Sequence, residues 1–342
     1  MSSQVIRNES SLEHTSHVVG ASLAPARKLK VFIPYDGFES AEATLIDMKR
    51  AGLPQNIDAL VAVTNLWLPA SPYEISRAVS ARRMKLLNSG MSSFAPALRD
   101  YEEQRVLSAE AGRRIRSICP SATIRTDSLQ DVAVITGEIL RKAKAWGAEL
   151  IIIGSNTSPS PDITDYAGPA LRIARDAHCS VRIARTLDRW VGSPVQIIIA
   201  VDESVSDSIA RTIQAVALRF WPAGSHARIV AVRKDPSGRE MKSEDSRVLE
   251  RWANALRSIG LKASIAIKYG PPQDLLLQEA RDLKADCIFL DARGFETAKT
   301  DSRSLSRVAA GLVLGAHCPV EVVRQNSPTN QDTYRPLSSK RV

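Results

Sequence analysis

The chain is written twice, and this repeat constrains the fold more than any other feature of the sequence. Ala177-His178-Cys179-Ser180-Val181, followed by Ile183 and Arg185, recurs as Ala316-His317-Cys318-Pro319-Val320, followed by Val322 and Arg324. A helix-like run precedes each copy, and an apolar strand precedes that run: Leu150–Ile153 in the first half, Cys287–Leu290 in the second. Each half opens on a strand that ends in aspartate, Val31–Asp36 and Gln196–Asp202. The spacings hold the copies in register: Asp36 matches Asp202, Gly154 matches Asp291, and Cys179 matches Cys318. The second copy has a slightly longer last loop. The first carries about 29 extra residues, placed between Pro69 and Arg105, in a surface loop or a helix extension, since closing a longer loop costs little.

Apolar runs and helical spacing alternate through both copies. The pattern predicts strands at 30–36, 59–64, 123–125, 150–153 and 181–184, then at 196–201, 228–232, 264–268, 286–290 and 320–323. Between them it predicts helices at 40–51, 97–118, 132–146 and 169–177, then at 206–220, 243–258, up to Leu283, and at 305–314. Within the insertion, Ser71–Glu74 reads as a further helix start. Residues 1–27 and 325–342 read as polar tails without period, and Thr186–Pro194 as a linker. The units are therefore 28–186 and 194–324. Alternating strands and helices imply an α/β fold, because a parallel crossover needs a helix to bring the chain back. Each unit should form a doubly wound, Rossmann-like, five-stranded parallel sheet. Ligands of such sheets sit beyond the carboxyl ends of the strands, where Asp36, Gly154, Asp202 and Asp291 stand.

Composition excludes several classes. Apolar residues are 44% and charged residues 24%, with no apolar run long enough to span a membrane. The Ser-rich start has no apolar core and is not a secretory signal. The formal charge of +9 is spread out, with small clusters at Arg82, Arg83 and Lys85, at Arg113, Arg114 and Arg116, and at Arg141, Lys142 and Lys144. These lie in helix-like stretches, where a solvated face is the plain reading, so nucleic acid is not expected as a partner. The four cysteines fall in or beside strands and are read as buried thiols in a reducing, cytoplasmic compartment.

At the strand ends and the duplicated Cys-containing strand, the chain resembles the universal stress protein family in its tandem two-domain form. The resemblance rests on Val31–Gly37, Ile197–Ser204, Tyr269–Pro272 with Ala285–Ile288, and His317–Val320. It implies a pseudo-dimer packed through the last strands, with room for a further homodimer. In nucleotide-binding members, the opening aspartate and a strand-2 residue hold the adenosine, and G-x2-G-x9-G-[S/T] wraps the phosphates. Carried over, the nucleotide-binding positions are Asp36, Val63, Gly154, Thr157, Ala167 and Gly168 in the first copy, and Asp202, Val232, Gly294, Ser306 and Arg307 in the second. The motif is degenerate. Thr157 and Ala167 add Cβ atoms where the backbone should be bare. Pro159 and Pro161 remove N–H donors, and Asp162 and Asp165 repel phosphate. In the second copy Asp291 replaces the first glycine and should face the phosphates, with Arg293, Lys299, Arg303 and Arg307 able to offset it.

Other candidates have plainer readings. Asp36 and Asp202 fit ligand contacts or turn caps. His178 and His317 lack further ligands at useful spacing and read as packing at helix ends rather than a metal site. Trp67 and Trp146 are core or partner-facing. No G-x-S-x-G, H-E-x-x-H, C-x-x-C or full phosphate loop occurs, so no catalytic residue is assigned. The resulting expectation is a non-enzymatic stress-response or regulatory module without the usual ATP binding. It has no required cofactor and no metal, and a protein partner at the insertion near Trp67–Arg105. The alternatives are an ATP or adenine-nucleotide sensor using the first unit and, more remotely, a nucleotide hydrolase.

Overall fold

The computed structural model describes residues 28–64, 96–129, 135–155, 168–202, 207–233, 243–293 and 305–324. The first unit runs β1 (Lys30–Tyr35), α1 (Glu39–Met48), β2 (Asp58–Val63), α2 (Pro96–Ile118), β3 (Thr123–Ser128), α3 (Ile135–Trp146), β4 (Leu150–Gly154), α4 (Pro169–Asp176) and β5 (Ser180–Ala184). The second runs β6 (Gln196–Val201), α5 (Asp207–Ala217), β7 (His226–Arg233), α6 (Ser243–Ser258), β8 (Lys262–Tyr269), α7 (Pro272–Asp282), β9 (Cys287–Asp291), α8 (Arg307–Gly315) and β10 (Val320–Val323). The expected helix start at Ser71–Glu74 and both expected tails lie outside the described residues.

Each unit contributes a parallel five-stranded array, and the two arrays meet through their last strands, both as expected. They join into one ten-stranded sheet, β3-β2-β1-β4-β5-β10-β9-β6-β7-β8. The seam is the pairing of β5 with β10, the antiparallel one among the strand pairs, with Val320 opposite Ile183, Glu321 opposite Arg182 and Val322 opposite Val181. Strands of the first unit thus point one way and those of the second the other. The carboxyl ends of the two sets lie at opposite edges of the sheet.

Period-2 alternation divides each strand between two faces. Phe32, Leu60, Ile151, Val181, Ile198, Val230, Ile288 and Val322 face α3, α4, α7 and α8, and form one core that crosses the seam. Val31, Ile33, Val61 and Ile152 face α1 and α2 in a second core. Ile197, Ile199, Ile229 and Phe289 face α5 and α6 in a third. The second and third cores do not merge, because the seam on that face is built from charge. Arg182, 1% exposed, donates to Asp47 from Nε (2.6 Å) and Nη2 (2.8 Å), and to Glu321 from Nη1 (3.2 Å). Arg219 donates to the other Glu321 oxygen at 2.6 Å and to the Ala51 carbonyl at 2.9 Å. Both guanidinium groups lie over the Phe289 ring, at 5.8 and 6.0 Å.

Gly52, with φ of +65°, ends the α1 segment in a conformation that glycine adopts without steric cost. Its carbonyl then accepts Phe220 N–H at 2.8 Å from the other unit. The predicted helix to Phe220 stops at Ala217 instead, since Phe220 bonds across the seam and Trp221 Nε1 turns back to the Val216 carbonyl. Arg50 pins the linker: it donates to Asp286 at 3.1 Å, to Ser193 Oγ at 2.7 Å and to the Trp190 carbonyl.

Candidate functional site

Because the seam is antiparallel, the sequence-predicted positions cannot form one site. They separate into two constellations at opposite sheet edges.

In the first unit the extended run 30–35 ends at Asp36, and Gly37 turns the chain with φ of +75°. Asp36 is buried, and its carboxylate accepts Phe38 N–H at 2.9 Å and Ser40 Oγ–H at 2.6 Å. The aspartate therefore holds the start of α1, as a turn residue does. Gly154 lies at the end of β4 against the same residue. A Cβ built there would come within 1.8 Å of the Ser40 carbonyl oxygen, which is backbone and cannot swing aside. Asp36 and Gly154 are thus brought together through Ser40. Val63 is buried at the end of β2. Beyond it an open crevice of about 580 Å³ is lined by Arg105, Ser108, Thr126, Asp127 and Ser128, among others. Gly168 caps α4, with no described residue within 4 Å of where a Cβ would stand. Thr157 and Ala167 lie outside the described residues.

The second unit is built differently at the same points. Asp291 is buried and does not stand open toward a ligand. One of its oxygens accepts from Arg211 Nε (3.0 Å) and Nη2 (2.8 Å), and the other accepts Arg293 N–H at 2.9 Å. The expectation set Arg293, Lys299, Arg303 and Arg307 to offset this charge; among the described residues the cation hydrogen-bonded to it is Arg211 of α5. Arg293 contributes its backbone N–H, and the Arg324 guanidinium also feels the Asp291 charge. Ser306 is fully buried; its hydroxyl accepts Ala309 N–H at 3.1 Å and its own N–H reaches the Ala292 carbonyl at 2.8 Å. It is an N-cap of α8, satisfying one of the donors a helix start leaves open. Arg307 follows as the first residue of α8, Val232 is buried near the end of β7, and Asp202 is half-buried just after β6. Gly294, Lys299 and Arg303 lie outside the described residues.

Arg211 carried a signal that the motif comparison passed over. It is the repeat counterpart of Leu45, by the same offset that relates the two opening aspartates. Where the first copy has Leu45 and Gly154, the second has Arg211 and Asp291, so the copies differ at both members of the ion pair.

The remaining candidates are structural by geometry. His178 Nε2 lies 3.1 Å from the Ala148 carbonyl, and His317 bonds the equivalent carbonyl of Ala285; burial lowers the pKa of both. The four cysteines are buried and free. Burial pushes the Cys119 thiol up to about 11 and those of Cys179 and Cys287 to about 12. Among the described residues no cluster of histidine, cysteine or carboxylate could hold a metal, and no helix is long and apolar enough to cross a membrane. Trp146 packs on the core, with Lys30 Nζ 5.4 Å above its ring. Trp67 lies outside the described residues. In the basic clusters, Arg114 pairs with Glu42 and Lys142 with Asp127.

Comparisons with known proteins bear on this geometry. Residues 191–324 match the family model described as the universal stress protein family. A universal stress protein A-like protein of Arabidopsis thaliana is 28% identical over 86 residues, which is 25% of this chain and 48% of that protein, so the match spans about half of the relative's length. The crystal structure of a universal stress protein from Archaeoglobus fulgidus covers 86% of this chain and 96% of its own, at 16% identity and a TM-score of 0.55. That likeness extends the fold, and the fold alone, over both units. A universal stress protein family structure from Arabidopsis thaliana with AMP bound covers 41% of this chain and 98% of its own, at 23% identity and a TM-score of 0.28.

Proposed function

We propose that this chain, whose second unit matches the universal stress protein family model, is a non-enzymatic stress-response module whose second phosphate cradle is closed. One observation carries the reading: the Asp291–Arg211 pair at the carboxyl end of β9. A carboxylate there repels phosphate, and Arg211 beside it is already engaged. The N-terminus of α8, which would otherwise attract an anion, has one of its N–H donors taken by Ser306. On this reading the module acts in the cytoplasm through a protein partner at residues 67–105, and not through turnover of a nucleotide.

The test is to purify the full-length protein gently, denature it and examine the supernatant by mass spectrometry, with thermal melts in Mg-ATP and in AMP alongside. An empty supernatant and unchanged melts are expected. Near-stoichiometric recovery of an adenine nucleotide would overturn the reading.

A second reading, an adenine-nucleotide sensor built on the first unit, is favoured by the retained Gly154 and by the crevice beyond Val63. The two readings separate by location. A nucleotide held by the first unit would slow hydrogen exchange at Gln104–Ser108 and Thr126–Ser128 and leave α8 unchanged.

A further inference from the structure

The seam joins two related strands over only three facing pairs. Val181 and Ile183 meet Val322 and Val320, and in the repeat that matches Cys179 to Cys318 they are the equivalents of Val320 and Val322. Apolar on both sides, they would fit the seam equally well if either unit paired with a second copy of itself. The central pair would not. Arg182 and Glu321 are also repeat equivalents, so they face each other across the pseudo-twofold axis of the two units. A symmetric pairing of two first units would set Arg182 against Arg182, and one of two second units would set Glu321 against Glu321. Both residues are about 1% exposed, so solvent does not screen the choice.

The surroundings are equally one-sided. Asp47 and Arg50 come from the α1 segment, and by the offset of the opening aspartates their repeat counterparts are Ile213 and Val216. Arg50 reaches Asp286 across the seam at 3.1 Å, and a self-paired second unit would offer Val216 in its place. Arg219 likewise has Leu53 as its counterpart. A buried ion network is a poor way to gain stability, because desolvation offsets most of the Coulomb attraction; its best-attested use is to fix pairing and register.

We propose that Arg182 and Glu321 make the seam selective: β5 accepts β10 of the complementary unit and rejects the β5 edge of a second copy, and β10 likewise. The closed pair of units is specified by charge, and further association of the chain must use surfaces other than this seam.

Single substitutions in the full-length chain reproduce the rejected contacts in place. In a background of Asp47→Asn and Arg219→Gln, where neither reversed charge meets a like charge of its own unit, Glu321→Arg sets arginine against arginine, Arg182→Glu sets carboxylate against carboxylate, and Arg182→Glu/Glu321→Arg restores an opposite pair with reversed polarity. Thermal melts should show each single variant lowered by roughly 10 °C, with the double variant regaining at least half of the summed loss. Losses that simply add in the double variant would overturn the proposal. If a single variant does not fold, a folded double variant supports the proposal and an unfolded one defeats it. Hydrogen exchange of the folded variants supplies a second readout: in the parent and the double variant, protection of β5 and β10 should stay the same at every concentration, whatever other surfaces associate. Self-association of the parent through β5, detected as protection of Val181–Ile183 that grows with concentration, would also defeat it.

Discussion

Gly154 and Asp291 occupy the same place in the two copies, and the contrast between them shows how one fold packs the same point in two ways. In both units the first helix must cross the end of the fourth strand. In the first, the strand end carries no side chain, and the Ser40 carbonyl settles where a Cβ would otherwise stand. In the second, the strand end carries a buried carboxylate, and the helix supplies Arg211 where the first copy has the buried Leu45. The carboxylate that stands where the first copy has glycine is thus matched by a cation on the facing helix. A degenerate motif of this kind is a rebuilt packing contact, and its nucleotide-binding capacity has to be judged from the new partners and not from the missing residue alone.

The largest expected effect comes from forcing the two solutions to become alike. Gly154→Ala should destabilise the protein by about 3 kcal/mol, because backbone must shift to admit one methyl group; urea denaturation of the full-length chain measures it. Gly168→Ala, with no described residue within 4 Å of the added methyl group, is the control and should cost well under half as much, through the weaker N-cap alone. Asp291→Ala should cost about 2 kcal/mol, the worth of hydrogen bonds to a charged group, and Arg211→Leu/Asp291→Ala should cost less than the sum of its parts if the two act as one contact. Asp36→Ala should cost about 1 kcal/mol through its lost bonds to Phe38 N and Ser40 Oγ, without any nucleotide being present.

The smallest effect concerns a feature the copies share. Burial holds the pKa of His178 and of His317 below the usual value of about 6.5. The unfolded chain therefore takes up protons first, so stability is full above about pH 6.5 and is lost as pH falls toward the folded-state values. His178→Gln/His317→Gln should flatten that part of the pH–stability curve. His226, also lowered by burial, leaves a residual slope.

Much of the architecture was legible because its determinants are local and repeated. Strands buried on both faces, such as Gln196–Val201, are near-continuous apolar runs. The outer strands β3 and β8 proved longer than expected, since Thr123–Ser128 and Lys262–Tyr269 are half exposed and mix polar residues into the run. What the sequence did not reveal depends on distant partners. The seam register, the buried Arg182 network and the Arg211–Asp291 pair each join residues far apart in the chain. Their traces were present as single charges inside apolar strands, Val181-Arg182-Ile183 and Val320-Glu321-Val322, and as opposite charges at equivalent places in the two copies. Aligning the copies against each other, residue by residue, would have shown both; aligning each to the family pattern did not.

The central claim is that the strand ends of the second unit are filled by the protein's own ion pair and are closed to phosphate. Calorimetric titration of the full-length chain with Mg-ATP tests it most directly. The account predicts no saturable heat assignable to the second unit, and the same result for Arg211→Gln. Saturable binding in the native chain that Arg211→Gln abolishes would contradict it, because Arg211 would then serve the nucleotide and not Asp291.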